Sequence, residues 1–385
     1  MNFKEKIEHS IKAVEKWVES HNYKGYEPFD GLSSILRPLT FNNTFAERIL
    51  QQAVRQAPMN LRPILGVKSQ ESTKGRAFMA RGYLMMYQLT NLDSYRRKAV
   101  DCLDWLIENK SPNYSDFSWG NHFDYSSRVF RLPMYEPTIV WTSLIGQSFL
   151  DAYVILQDPK YLDVASSVME WILKLPCEKT ESGTCISYVA FLQRSIHNAN
   201  MLGAALLART TRFNQNPRAS ELASHAMEYS CSRLLPNYAW YYGEETKYHW
   251  IDNFHTGYNL DSLKCYIEHS NDSRYSEQLR RALNFYTTTF FEEDGRPNYY
   301  HDRGYPIDIQ CASQAIDTLV NFAEIDPSCL ELAQKTANWT IDNMQDRDGY
   351  FYYRILRFKK VKTPMIHWGQ NTMYKALTYL LAKLG

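Results

Sequence analysis

Six segments of this chain carry almost no charge over the length of a helix, beginning near Phe78, Thr138, His197, His255, Asp308 and Ile366. Their spacing is roughly 55–60 residues, longer than common solenoid repeats. The second reads TIVWTSLIGQSFLDAYVIL from Thr138, and the third contains NANMLGAALL over residues 198–207. A helix apolar on nearly every side has to be buried on nearly every side. Between these segments lie amphipathic ones, such as SYRRKAVDCLDWLIEN (94–109) and SRYSEQLRRALNFYTTTFF (273–291). Their apolar residues recur at three and four, and Arg, Lys and Glu fill the opposite face. The alternation predicts paired inner and outer helices.

Inner leads to outer through very short connections, at 90–93, 157–160 and 268–272. The return takes long segments, 110–137, 175–196, 236–254, 292–307 and 346–365. Loops beyond about 12–15 residues in a compact domain are usually functional or disordered, and these are too rich in Trp, Tyr and Phe for disorder. All the elaborate loops therefore gather at one end. Residues 3–19 have the outer pattern and 366–384 the inner one, so pairing the first with the last closes a ring of six helix hairpins. Residues 41–56 form an extra helix with no assigned place. No Pro, Gly or Ser-rich linker interrupts the repeats, which predicts one all-α domain over 1–385.

Charge excludes one class of partner: 43 basic residues against 42 acidic ones give a net +1, so no general nucleic-acid surface is expected. No uninterrupted apolar run approaches the roughly 20 residues needed to span a bilayer, and the N-terminus is charged and amphipathic. The seven cysteines stand singly and form no CxxC pair, so neither a zinc site nor any other metal or cofactor is expected. A cytoplasmic location is the natural setting. Cys177 and Cys185 bracket one loop and leave a bridge open.

With 28 Tyr, 18 Phe and 9 Trp, aromatics make up 14% of the chain, many of them in the long loops. An aromatic face stacks on sugar C–H surfaces while its polar tip hydrogen-bonds, so a cleft lined this way suits a saccharide. Trp119, Trp240, Tyr241 and Trp368 are the candidate platforms; packing of the loops onto the ring is the alternative for each.

The densest polar cluster is YHWIDNFHTGYNLD, residues 248–261, at the start of the fourth inner helix. His255 and Tyr258 are three apart, hence on one helical face, and would present an imidazole and a phenol to the same ligand. Asp252 is either the N-cap or a catalytic carboxylate, and Asp261 lies further along. Asp30 sits in a turn at the same end of the ring, and Glu136 precedes the second inner helix. Asp308, His367, Trp368 and Gln370 begin the fifth and sixth inner helices, and His197 the third. His122, Arg128, Arg131, Arg296, Arg303 and Arg354 lie in the loops, where Arg would pair with an acidic sugar. No phosphate-binding glycine loop, dinucleotide fingerprint, GxSxG elbow or HExxH motif is present.

The repeat pattern over nearly the whole chain resembles the (α/α)6 toroid of the six-hairpin glycosidase superfamily, which includes hydrolases, polysaccharide lyases and sugar epimerases. More narrowly, residues 26–32 (YEPFDGL), 254–260 (FHTGYNL) and 367–370 (HWGQ) with Met373 resemble segments of poorly characterised proteins encoded among polysaccharide-biosynthesis functions. The resemblance implies action on a glycan or activated sugar, with an oligosaccharide or polysaccharide, possibly acidic, as ligand. The simplest reading is glycoside hydrolysis, with two alternatives. Paired carboxylates drawn from Asp30, Glu136 and Asp261 would hydrolyse a glycosidic bond; His255 as base with Tyr258 as acid would epimerise or eliminate at a uronic acid; or the chain would bind glycan as a noncatalytic scaffold. Fold analogy does not choose among them.

Overall fold

The computed structural model describes residues 2–385. Six outer helices, α1 (Phe3–Ser20), α4 (Asp93–Glu108), α6 (Pro159–Leu173), α8 (Pro217–Cys231), α10 (Ser276–Thr289) and α12 (Ser328–Met344), surround six inner ones. The inner helices are α3 (Thr73–Thr90), α5 (Ile139–Leu156), α7 (His197–Asn214), α9 (Asn253–Ser270), α11 (Ile309–Phe322) and α13 (Thr372–Leu384). Each inner helix packs on the next, and α13 packs on both α11 and α3, which closes the circle. The fold is the (α/α)6 toroid, and α1 lies against α13 as the closing outer helix.

Burial follows the charge pattern. Every residue from Ile196 to Ala208 in and just before α7 is buried, whereas α4 buries only one stripe, Ala99, Cys102, Leu103 and Leu106. By length and composition α5 could cross a bilayer, with a mean hydropathy of 1.4 over 18 residues. Its apolar surface is instead taken up by α3, α6 and α7. The short inner-to-outer turns share one device. Asn91, Gln157, Gln215 and Asn271 end four inner helices in the left-handed region, at φ of 54°, 57°, 50° and 60°, and an extended residue follows in three of them before the outer helix begins.

The long returns are stitched around the opposite rim. The first N–H of four successive inner helices, α5 to α11, donates to a tyrosine carbonyl of a neighbouring loop: Ile139 to Tyr188 (3.0 Å), His197 to Tyr242 (3.1 Å), Asn253 to Tyr299 (2.9 Å) and Ile309 to Tyr353 (3.1 Å). Ile366 does the same to Tyr26 (2.8 Å), across the join between the two ends of the chain. An antiparallel strip of strands, Ile307–Asp308, Arg354–Leu356 and Lys359–Val361, places Arg354 opposite Asp308. The extra helix α2 (Thr44–Gln56) lies on this rim, its Gln51 side chain exchanging hydrogen bonds with the backbone of Ser126. Cys177 and Cys185 fall on paired strands but not opposite one another, and both are free thiols.

The join between α3 and α13 depends on Gly82, where a Cβ would come within 2.6 Å of the Tyr374 ring. Gly82→Ala is expected to lower the melting temperature, at a cost of about 1–3 kcal/mol from overpacking. Removing the ring in Gly82→Ala/Tyr374→Leu should recover part of that loss beyond additivity, measured by a thermal double-mutant cycle.

Candidate functional site

The ends of the inner helices that carry the long loops surround a cleft of about 1130 Å3. Its floor is built by residues within two turns of those helix starts: Lys74 of α3, Trp141 of α5, Asn198 of α7, His255 and Tyr258 of α9, and His367 with Trp368 before α13. The walls come from Tyr188, Tyr242, Tyr299 and Tyr300, from residues 121–130, and from α2.

Asp252 does two jobs at once. Its Oδ1 caps α9 by accepting the His255 N–H at 3.0 Å, while its Oδ2 accepts from His255 Nδ1 at 2.7 Å and from Trp250 Nε1 at 3.0 Å. The carboxylate thus holds the imidazole through Nδ1 and leaves Nε2 as its free nitrogen. The His255 side chain keeps 21% of its surface exposed, against 1% for Asp252. Tyr242 braces the ring with centroids 4.6 Å apart and stacks in turn on Trp250 at 4.5 Å. Tyr258 stands one turn deeper, its ring 6.5 Å from that of His255 and its hydroxyl accepting from Gln310 Nε2 at 3.0 Å. Burial pushes its phenol well up, so Tyr258 carries its proton.

Across the floor the Lys74 ammonium sits over the Trp141 ring at 4.5 Å and lies 6.0 Å from the Tyr258 ring. Burial lowers its pKa to about 8 against the pull of Glu27. Trp141 also meets His367, with centroids 5.4 Å apart. His367 Nδ1 lies against Glu27 Oε2, both side chains being almost wholly buried. Burial, with Lys74 adding to it, drives the His367 pKa well below its usual value, and burial lifts Glu27 to about 7. His367 Nε2 and Asn198 Oδ1 have no hydrogen-bond partner among the described residues although both residues line the cleft. Buried polar atoms left this way await a ligand or water.

His367 and Trp368 reach the cleft because the chain there makes a π-turn, Ile366–Asn371, in which Gln370 N–H bonds to Met365 O at 3.2 Å. Such bulges inside helices often mark functional sites. Asp308 is buried beneath, accepting from Arg354 Nε at 2.7 Å and Trp368 Nε1 at 2.9 Å. It positions an arginine and a tryptophan that line the cleft and does not itself line it.

Charge is segregated. Arg48, Arg55, Lys74, Arg128, Arg354 and Lys359 line the cleft, whereas among the described residues its acidic side chains are Glu27 and Asp252, both already engaged with a histidine.

Several residues picked out from the sequence stand elsewhere. Asp30 is buried in an ion pair with Arg62, whose Nε lies 2.7 and 2.9 Å from its two oxygens, and accepts the Glu27 N–H; it holds the turn that carries Glu27. Glu136 accepts from the Tyr114 hydroxyl at 2.6 Å outside the cleft. Asp261 lies deeper in the ring, bonded to Gln314, Thr318 and Asn321. Trp119 and Trp240 are buried, each donating to a carbonyl at the end of an outer helix, Leu106 and Ser230, both at 2.9 Å. Tyr241 stacks on His249, Arg303 is exposed and paired with Asp302, and Gln370 clamps the Phe351 backbone. His197 is buried against Glu244, and His122 flanks Glu27 behind the floor. Lys74, Glu27, Asn198 and Trp141 escaped the reading. The signal for Lys74 was Ser72–Thr73–Lys74–Gly75, a cap followed by the helix start, five residues ahead of the expected Phe78.

No family model and no curated protein matches the sequence. Solved structures do. The chain is similar to cellobiose 2-epimerase from Bacillus thermoamylovorans, at 10% identity and a TM-score of 0.61, over 83% of this chain and 90% of that one. It is similar to the GH76 alpha-mannanase of Bacteroides thetaiotaomicron, at 13% identity and a TM-score of 0.62, over 81% and 87%. A polysaccharide lyase matches at 12% identity and a TM-score of 0.61, over 100% of this chain and 98% of its own. These are six-hairpin toroids, and the likeness establishes the fold that this chain shares with them.

Burying the Lys74 ammonium opposes folding. Its folded pKa is about 8 and its unfolded value near 10.4, so the penalty is complete below pH 8 and fades as pH rises through that window. Lys74→Met is therefore expected to stabilise the protein at pH 7 by on the order of 2 kcal/mol, with the gain shrinking toward pH 10.5 in thermal melts.

Proposed function

We propose that the protein is a carbohydrate-active enzyme that removes the carbon-bound proton next to the carboxylate of a uronic sugar, giving elimination or epimerisation. The observation that carries this reading is the Asp252–His255 dyad, with its free Nε2 on the floor of a cleft whose unengaged charges are all positive. Hydrolysis by paired carboxylates has less support: Asp30, Glu136 and Asp261 are bonded elsewhere, and no two free carboxylates face each other across the cleft.

His255 Nε2 takes the proton from C5, and the Asp252 carboxylate stabilises the imidazolium that results. The electron pair spreads into the sugar carboxylate as an enolate, where a cation in a desolvated site acts strongly; Lys74 over Trp141 is placed for this. In elimination the C4–O bond breaks as the C4=C5 bond forms, and Tyr258 gives its proton to the departing oxygen. In epimerisation no bond to oxygen breaks; Tyr258 gives its proton to C5 from the opposite face and regains one from solvent, to which His255 gives up the proton it took. The tyrosine faces of the walls hold neighbouring sugar units. A place in making or modifying a surface glycan, in the cytoplasm, belongs to the same proposal.

Incubating the protein in deuterium oxide with uronate-containing and neutral oligosaccharides separates the outcomes. The proposal expects unsaturated uronide, seen by ultraviolet absorbance, or deuterium at C5 without cleavage. New reducing ends without either signal would replace it with hydrolysis. His255→Ala should cut turnover by about 10³-fold with melting unchanged. Asp252→Asn should also lower turnover, chiefly in kcat, because the imidazole loses the charge that orients it.

A further inference from the structure

Seven large apolar side chains between Ile35 and Ile64 are more than half exposed, among them Phe41 at 87%, Ile64 at 77% and Ile35 at 70%. They occupy α2 and the turns that flank it. The turns fold back on each other, Ile35 N–H donating to Leu65 O at 3.0 Å, so the apolar residues belong to one structured face. Beside this face lies the tip of the strand hairpin Arg354–Leu356 and Lys359–Val361, where Phe358 is 91% exposed, the highest value among the large apolar residues. Lys359 Nζ donates to Gln56 O at 3.0 Å and joins the tip to the end of α2.

The tip is strongly basic. Arg357, Lys359, Lys360 and Lys362 surround Phe358, and no Asp or Glu occurs from Gly349 to the end of the chain. Arg357 lies over the Phe358 ring at 5.3 Å and Lys360 donates to the Asn343 carbonyl. Neither contact neutralises a positive charge. Projecting aromatic and aliphatic side chains interleaved with unneutralised cations match one surface above others, an interface with anionic headgroups outside and acyl chains beneath.

We infer that α2 and the 354–361 hairpin dock the protein on an anionic lipid bilayer, with Phe358, Phe41 and Leu39 entering the interface. A second copy fits poorly, since a symmetric contact would bring Arg357, Lys360 and Lys362 of both chains together. A glycan fits poorly too, because Phe358 stands at a hairpin tip with no opposing wall to sandwich a sugar. Because Phe45, Ile49 and Lys359 also line the cleft, docking sets the cleft mouth beside the headgroups, where a saccharide carried on a lipid would meet it. The inference does not depend on the chemistry proposed above.

Flotation of the full chain with vesicles tests it. Vesicles of phosphatidylcholine containing roughly one-third phosphatidylglycerol should carry the protein, pure phosphatidylcholine should not, and raised salt should release it. Phe358→Ser/Leu39→Ser and Lys360→Glu/Lys362→Glu should each lower partition at least tenfold, with melting temperature unchanged. Failure to float with anionic vesicles overturns the inference, as does flotation that neither pair alters. A concentration-dependent dimer in sedimentation that Phe358→Ser abolishes would assign the surface to a second copy. Equal capture by an acidic peptide, insensitive to Phe358→Ser, would assign it to a protein partner.

Discussion

The rim of backbone hydrogen bonds from inner-helix starts to tyrosine carbonyls is the constraint on which the site depends. A helix start leaves N–H groups without intrahelical partners, and at a wide ring mouth they would face solvent or a ligand. Here Tyr188, Tyr242, Tyr299, Tyr353 and Tyr26 each supply a carbonyl to one start. The bond orders a long loop and at the same time sets its tyrosine near the mouth, so three of those side chains, Tyr188, Tyr242 and Tyr299, become cleft wall. The packing reading therefore holds for Trp119 and Trp240, which pin loops to outer helices, while Tyr188, Tyr242 and Tyr299 face the opening.

At the other end the ring is sealed by charge. Asp151 of α5 pairs with Arg81 of α3 at 2.6 Å and Arg209 of α7 at 2.7 Å. Although burial alone would raise it, the two guanidiniums hold the Asp151 carboxyl at about 2. Lys375 of α13 meets Asp317 of α11, next to Asp261 of α9. Ion pairs this deep add little net stability over a well-packed apolar plug, yet removing one partner strands the other, so they fix the register of α3, α5 and α7 in one group and of α11 and α13 in another. Asp261 belongs to this seal. It stands eight residues after Asn253, roughly 12 Å down the helix from the mouth at 1.5 Å per residue.

The toroid was legible because its inner helices are buried on all sides, which strips charge from the sequence at regular intervals, and because its turns are short at one end only. His255, Tyr258, His367 and Trp368 were legible as helix starts at the loop-bearing end, and Asp252 as a residue with a capping or a chemical role; it is the cap, and its other oxygen holds the His255 ring. Depth was not legible. Asp30, Glu136 and Asp261 share the mouth's side of the sequence pattern, but whether a carboxylate faces a cleft or an arginine is decided by a partner remote in the chain, such as Arg62 for Asp30. The place of α2 was hidden for the same reason, since its partners Ser126 and Lys359 lie far along the sequence.

Overall charge concealed the most consequential feature. A net +1 averages over the whole chain and hides a cleft lined by six basic side chains, of which Arg354 is paired with Asp308, and by two carboxylates engaged with histidines. Lys74 concentrates the effect. Placed among Trp141, Phe78 and Tyr258, its ammonium is poorly solvated and gains more from an approaching carboxylate than a surface lysine would. The same burial that opposes folding at this position thus favours binding of an anion, and in the reaction proposed above it would set a poorly solvated cation beside the developing negative charge.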